Sequence, residues 1–339
     1  MINADTGRVI YAANAYSRLP MASTTKIMTA LLLAEENSPN KTIVTTKEMV
    51  KVEGSSMGLL EGDTVSYHDL LYGMLLASGN DAANTTAIAL AGNIEKFAEK
   101  MNMRAKEIGL VNTHFVTPSG LHNDNHYTTA YDLAKLTAFA LKNEQFAEAV
   151  ASKSARLYYG NPPYYRTITN HNKLLSMYEG AIGVKTGYTK AAGRCLVSAA
   201  ERDGVTLVAV TLNDKNDWQD HKALLDYGFE NSETVTCTPA IPETIPVISE
   251  NNLSIKLGYD PTKIGVSLDD SVTYNVVLPK FVYPPIQVGE AVGYVEVLCG
   301  DKCVTTINIT ARTEVHGNSV QNNIFKNIFK QFLLLIRRI

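Results

Sequence analysis

The stretch that most limits how this chain can fold is Ala22–Glu36. Leu19-Pro20 ends the extended run before it, because a residue ahead of proline avoids helical backbone. From Ser23 on, Ile27, Met28, Ala30, Leu31 and Leu32 recur at helical spacing, with no glycine or proline until Pro39. A helix starting at Ser23 carries Lys26 one turn on and on the same face. A serine hydroxyl is a weak nucleophile, and a partly desolvated lysine one turn away can act as its base. The helix N-terminus adds backbone N–H groups and a positive dipole end, suited to a developing oxyanion. Ser-x-x-Lys is short enough to arise by chance, and Ser23 can equally be a plain N-cap. The same spacing recurs at Ser38–Lys41, where Pro39 and polar neighbours indicate a loop. The motif gains meaning only from other motifs further along the chain.

At 339 residues two domains are expected. Asp5–Arg8 reads as a turn and Val9–Ala12 as a strand. After the Ser23 helix, Thr42–Thr46 is strand-like and Gly54–Asp63 a glycine-spaced loop. The spacing predicts a helix from Tyr67 that stops at Ser78-Gly79-Asn80, a second over Asp81–Ala91, and others over Ile94–Ile108, Thr129–Leu141 and Gln145–Val150. Beyond Ser152 the character changes. Leu157–Thr169 is aromatic and β-prone, Cys195–Ala200 and Thr206–Leu212 form a hairpin turning at Asp203-Gly204, and Asp217–Tyr227 is a last helix. Strands, then many helices, then strands predict an α+β fold with helices packed around an antiparallel sheet, over residues 1–231. From 232 to 312 prolines punctuate short alternating runs such as Val272–Leu278 and Val304–Ala311, which predicts a small all-β second domain. Residues 313–339 are expected to be a linker and a C-terminal amphipathic helix.

A formal charge of -3 excludes a general nucleic-acid binder, which needs a basic excess. Cys195, Cys237, Cys299 and Cys303 are too few and too scattered for a disulfide scaffold. Cys299 and Cys303 bracket a hairpin turn at a spacing open to a small disulfide or a metal, but free thiols are favoured. His122, His126 and His171 sit in separate loops without a tight ligand pair, so no metal and no cofactor are expected; His171-Asn172 can line a cleft.

Ser23-Thr-Thr-Lys26, Ser78-Gly-Asn80 and Lys185-Thr-Gly187 occur in that order, and β-lactamases and penicillin-binding proteins share an ordered triple of this type. The middle motif carries glycine where many have aspartate. With Leu19–Ala30, Leu76–Ala83, Thr117–Leu121 and Gly183–Thr189 around it, the chain resembles the D-alanyl-D-alanine carboxypeptidases, the low-molecular-mass penicillin-binding proteins, over nearly its whole length. The resemblance implies a β-lactamase/transpeptidase-like fold and cleavage of the terminal D-alanine from peptidoglycan stem peptides ending in D-Ala-D-Ala, with β-lactams as covalent inhibitors. It implies that Ser23 attacks the carbonyl of the penultimate D-alanine, that Lys26 takes its proton, and that Ser78 relays a proton to the leaving amine. Asn80 would bond the Lys26 amine or the substrate amide. Lys185 and Thr186 would face the terminal carboxylate, with Gly187 and Tyr188 completing the substrate strand, and the N–H groups of Ser23 and Tyr188 would form the oxyanion hole. Family members often add an arginine just after the last strand pair to hold the carboxylate. The stretch from Asn213 to His221 has none, leaving Lys185, Thr186 and Lys215 as candidates.

Two other functions compete with this one. A class A β-lactamase needs a deacylating glutamate in Glu-x-x-Leu-Asn, and the nearest approach, Glu107–Asn112, puts its asparagine one position late. A silent wall-binding or scaffolding protein would be free to lose the motif residues, which are all present. Residues 319–339 place Ile324, Phe325, Ile328, Phe329, Phe332, Leu335, Ile336 and Ile339 on one helical face, with Lys326, Lys330, Arg337 and Arg338 as the charge. The apolar run Phe332–Ile336 is far short of the ~20 residues of a spanning helix. The tail is expected to lie on an anionic membrane surface. Met1–Gly7 runs straight into strand-and-turn sequence with no signal-peptide pattern, but a wall enzyme works at the outer face of the cytoplasmic membrane, so a leader ahead of this sequence is expected.

Overall fold

The apolar run after Lys26 has no polar face, and in the computed structural model, which describes residues 1–248 and 253–316, it is buried on every side. Helix α1 (Lys26–Glu35) exposes only its last residue, as a central core helix must. It does not start at Ser23 as an α-helix. A 3-10 turn, Ala22–Thr25, leads into it. The hydroxyls of Thr24 and Thr25 donate to the carbonyls of Met21 and Ala22 three residues back, which tightens this turn and seats Ser23 within it.

Strand β1 (Ile2–Asn3) precedes α1. The strand expected over Val9–Ala12 is reduced to one bridge, Val9 with Ile2. Asn3 Oδ1 accepts the N–H groups of Asp5 and Thr6 and reverses the chain, so that Ile2 and Asn3, not the later residues, pair with the sheet. Next come β2 (Thr42–Val44), α2 (Lys47–Val50), β3 (Thr64–Ser66) and α3 (Tyr67–Leu75). They are followed by α4 (Asn80–Ala91), α5 (Ile94–Ile108), α6 (Ala130–Ala140) and α7 (Glu144–Ala151). The starts of α3, α5, α6 and α7 are fixed by Ser66, Asn93, Thr129 and Asn143, whose side chains each accept the N–H three residues on. Left-handed Gly92 and Gly109 end α4 and α5. Helix α1 packs against α3, α4, α6 and α7.

The aromatic stretch is the hairpin β4 (Ser154–Gly160) and β5 (Pro163–Thr169), which with β2 and β3 makes a four-stranded sheet. After α8 (Leu174–Met177) come β6 (Ala181–Thr189), β7 (Gly193–Arg202), β8 (Val205–Leu212) and α9 (Asp217–Glu230). The main sheet runs β1-β8-β7-β6, all antiparallel, with one edge from each end of this region. Residues 195–200 of β7 are buried without alternation because both faces are covered. Val197, Ala199, Val208 and Val210 join the core around α1, while Ala200, Leu207 and Ala209 meet Leu225 of α9.

The chain then forms β9 (Ser232–Cys237), β10 (Thr244–Pro246), β11 (Ser254–Gly258), β12 (Thr262–Ser267), β13 (Val272–Val277), β14 (Ala291–Cys299) and β15 (Lys302–Ala311). Two units result. One is Met1–Glu233 with Gly265–Leu268; the other is Thr234–Ile264 with the chain from Asp269 on. The return of Gly265 to the first unit is fixed by Asn3 Nδ2, which donates to its carbonyl at 3.2 Å. The second unit holds a sheet of order β10-β11-β15-β14-β13, with Ile255, Val295, Val297, Ile307 and Ile309 alternating into its core. Cys299 pairs with Lys302 and Cys303 with Leu298, so the two thiols point to opposite faces and stay free. The amphipathic helix expected over residues 319–339 lies outside the described residues.

Candidate active site

Two buried lysines stand out, since an ammonium is rarely taken out of water without a paired carboxylate. Lys26 is 0% and Lys185 1% exposed. Lys26 Nζ donates to Asn80 Oδ1 at 2.6 Å and to the Ser119 carbonyl at 2.8 Å, and lies 3.0 Å from Ser23 Oγ. Asn80 Nδ2 donates to the Glu53 carbonyl, which fixes the amide with its oxygen toward the lysine. Two of the three partners can only accept; the third is a hydroxyl that can also donate. A neutral amine therefore spends both its hydrogens on Asn80 and Ser119 and aims its lone pair at Ser23. Burial, then the positive charge of Lys185, hold the Lys26 pKa well below its ordinary value, against a smaller opposing pull from Asp81.

Asp81 does not pair with Lys26. Its carboxylate accepts the N–H groups of Met57, Gly58, Leu59 and Ala82 and the Ser56 hydroxyl, strapping the loop before β3 to the start of α4. This explains the glycine in the middle motif. A Cβ on Gly79 would stand 2.7 Å from Asp81 Oδ1 and 3.1 Å from Met57 N, so an aspartate there would set one carboxylate against another. Ser78 is buried beside it, in the left-handed region at φ 58°.

The loop between α5 and α6 supplies more than its family-like sequence suggested. Ser119 presents its carbonyl to Lys26, and the Pro118 carbonyl accepts from Thr29 of α1. A Cβ on Gly120, at φ 87°, would fall 1.8 Å from the Ala22 carbonyl, so only glycine lets this loop reach the Ser23 turn. His126, read from sequence as a loop residue, is 3% exposed and ties the two together. Its Nδ1 accepts from Val116 N at 2.9 Å, so the proton is on Nε2, which donates to Thr25 Oγ1 at 2.7 Å. Burial, then His114 and His122, keep it neutral with a pKa down to about 4. Its part was hidden because nothing in a lone loop histidine tells which segment it will meet.

Strand β6 forms the other wall. Gly187 lies against the Ser23 turn, where a Cβ would be 3.0 Å from Ser23 N. Lys185 Nζ donates to the Thr186 carbonyl at 2.9 Å, and burial brings its pKa down to about 7. Thr186 is half-buried and Tyr188 exposed at the strand's open end. His171 is near enough for Lys185, after burial, to lower its pKa. The structure thus gathers Ser23, Lys26, Asn80 and the Ser119 carbonyl within hydrogen-bond reach, with Lys185–Tyr188 alongside the Ser23 turn.

A family model described as D-alanyl-D-alanine carboxypeptidase matches residues 1–216. The chain belongs to that family. Among its relatives, the D-alanyl-D-alanine carboxypeptidase DacF of Bacillus subtilis is 35% identical over 242 residues, 69% of this chain and 62% of that protein. The match thus spans less than two thirds of that relative's length. Penicillin binding protein 5 of Haemophilus influenzae superposes with a TM-score of 0.67 at 27% identity, covering 93% of this chain and 96% of that one. The Streptomyces K15 DD-transpeptidase superposes with a TM-score of 0.63 at 35% identity over 68% of this chain and 95% of that one. Helices around an antiparallel sheet are therefore the fold of the penicillin-binding proteins in this family. The glutamate weighed from sequence takes no part in the site: Glu107 is exposed near the end of α5 and pairs with Arg104.

Proposed function

We propose that the chain is a serine D-Ala-D-Ala carboxypeptidase working through an acyl-enzyme on Ser23. The observation that carries this reading is the buried Lys26 Nζ, bonded to Asn80 Oδ1 and the Ser119 carbonyl and 3.0 Å from Ser23 Oγ, where the neutral amine can turn its lone pair to the hydroxyl. Ser23 Oγ gives its proton to Lys26 Nζ and bonds to the carbonyl carbon of the penultimate D-alanine. The oxyanion is received by the N–H groups of Ser23 and Tyr188. As the tetrahedral carbon collapses, Lys26 returns the proton through Ser78 to the amine of the departing D-alanine. Water then hydrolyses the ester, releasing the shortened peptide and restoring Ser23. Lys185, Thr186 and Gly187 line the strand along which the substrate lies. A β-lactam would acylate Ser23 in the same way, and Asp81, spent on its own loop, is not free to activate water beside Lys26. The penicilloyl ester is expected to persist.

Mass spectrometry of a stem peptide ending in D-Ala-D-Ala tests this. Loss of one alanine residue with release of free D-alanine is expected. An unchanged peptide, with no covalent label from a fluorescent penicillin, would favour a silent wall-binding protein. Penicillin destroyed over many turnovers would favour a β-lactamase.

The proposed place of action is the outer face of the cytoplasmic membrane. The basic amphipathic sequence of residues 319–339 supports an anchor to anionic lipid. Co-sedimentation with anionic liposomes is expected for the full chain and not for one ending at residue 318; equal binding by both would contradict the anchor.

A further inference from the structure

A substrate that ends in a carboxylate needs a cation at the open end of β6, and Lys185 serves poorly. It is buried, its Nζ is turned to the Thr186 carbonyl, and its ammonium is disfavoured there. Lys190 and Lys215 are exposed, and neither has a hydrogen-bond or ion-pair partner among the described residues to fix it in place. A third cation is fixed.

We infer that Arg194, held from behind by Asp217, is the group that binds the substrate's terminal carboxylate beside Thr186. The inference rests on the carboxypeptidase reading above and adds to it a binding residue on β7. In the β6–β7 ladder Thr186 pairs with Leu196 and Tyr188 with Arg194. Paired residues share a face, so Thr186, Tyr188 and Arg194 project to one side of the sheet. Arg194 is the diagonal neighbour of Thr186, about 7–8 Å away between backbones, which an arginine side chain spans. That side is the one covered by α9. Ser198, further along β7, bonds His221 in the middle of α9, and Arg194 reaches Asp217 at its start.

The salt bridge has an asymmetry that a purely structural pair does not require. Asp217 accepts from Arg194 Nε at 3.1 Å and Nη2 at 2.7 Å. Its side chain is 5% exposed while that of Arg194 is 44% exposed. The carboxylate therefore grips one edge of the guanidinium from within the fold. Nη1 makes no hydrogen bond among the described residues, and the Nη1–Nη2 edge is left to receive a second carboxylate end-on. Between Asn213 and His221, where the sequence lacks an arginine, stands the aspartate that orients one from the neighbouring strand.

The test compares a D-Ala-D-Ala peptide with a free C-terminus and the same peptide amidated there, using product mass to read even slow turnover. Arg194→Ala is expected to lower kcat/KM for the free acid about 10- to 100-fold, mainly through KM, and to leave the amide within about two-fold. Arg194→Lys, which keeps the charge without the fork, should recover part of the loss, and Asp217→Asn should lose selectively on the acid as well. Unchanged turnover of the amide also shows that the variant is folded. An equal loss on both substrates would make the pair merely structural, and no loss on either would remove Arg194 from the site; each overturns the inference. If the wild-type protein cleaves neither peptide, the carboxypeptidase reading itself fails.

Discussion

Replacing Ser23 by alanine is expected to abolish covalent labelling by penicillin and to lower peptidase activity by roughly 10⁴-fold or more, because the acyl group is carried on Ser23 Oγ, the hydroxyl that faces Lys26 Nζ. Lys26 has its remaining bonds to Asn80 and Ser119, and the Thr24 and Thr25 hydroxyls still shape the turn. The loss of one partly buried hydroxyl should therefore cost only about 1 kcal/mol of stability. Labelling with a fluorescent penicillin alongside thermal unfolding separates the two effects. A folded Ser23→Ala protein that still takes one equivalent of label would mean the nucleophile lies elsewhere.

The second large effect concerns Lys26. If its neutral amine takes the Ser23 proton, Lys26→Gln should slow acylation about 10²- to 10⁴-fold, the usual range for a positioned base. In the wild-type protein the acylation rate should be flat where the amine is neutral and should fall as pH drops through its lowered pKa, where the lone pair is lost to a proton. Since the charge on Lys185 helps hold that pKa down, Lys185→Met should let it rise and move the acid limb to higher pH. Stopped-flow acylation across weakly acidic to alkaline pH reads both. A pH-independent rate, or a limb that moves the other way in Lys185→Met, would remove Lys26 from the role of base.

Much of this site was legible because it is written in short runs. Ser23 and Lys26 sit one turn apart, Ser78 and Asn80 bracket a helix start, and Lys185–Tyr188 are consecutive on one strand. The helix starts expected near Tyr67, Ile94 and Thr129 came from apolar spacing, and the structure fixes them by the local caps Ser66, Asn93 and Thr129. What escaped depends on partners distant in the chain. Val9–Ala12 has the composition of a strand, but the side chain of Asn3 turns the chain early and gives the ladder to Ile2 and Asn3. The short helices α2 and α8, four residues each, leave no periodicity to detect. Asp81 strapping Met57–Leu59, His126 joining Thr25 to Val116, and Arg194 meeting Asp217 across 23 positions are all contacts between segments. Only the fold brings them together.

Every step above runs through an ester on one hydroxyl, and that adduct can be sought directly. Protein treated with penicillin, digested with trypsin and sequenced by tandem mass spectrometry should carry the mass of one intact penicillin on Ser23, within the peptide Leu19–Lys26. An adduct on any other residue, or a fully active protein that acquires none, would contradict it.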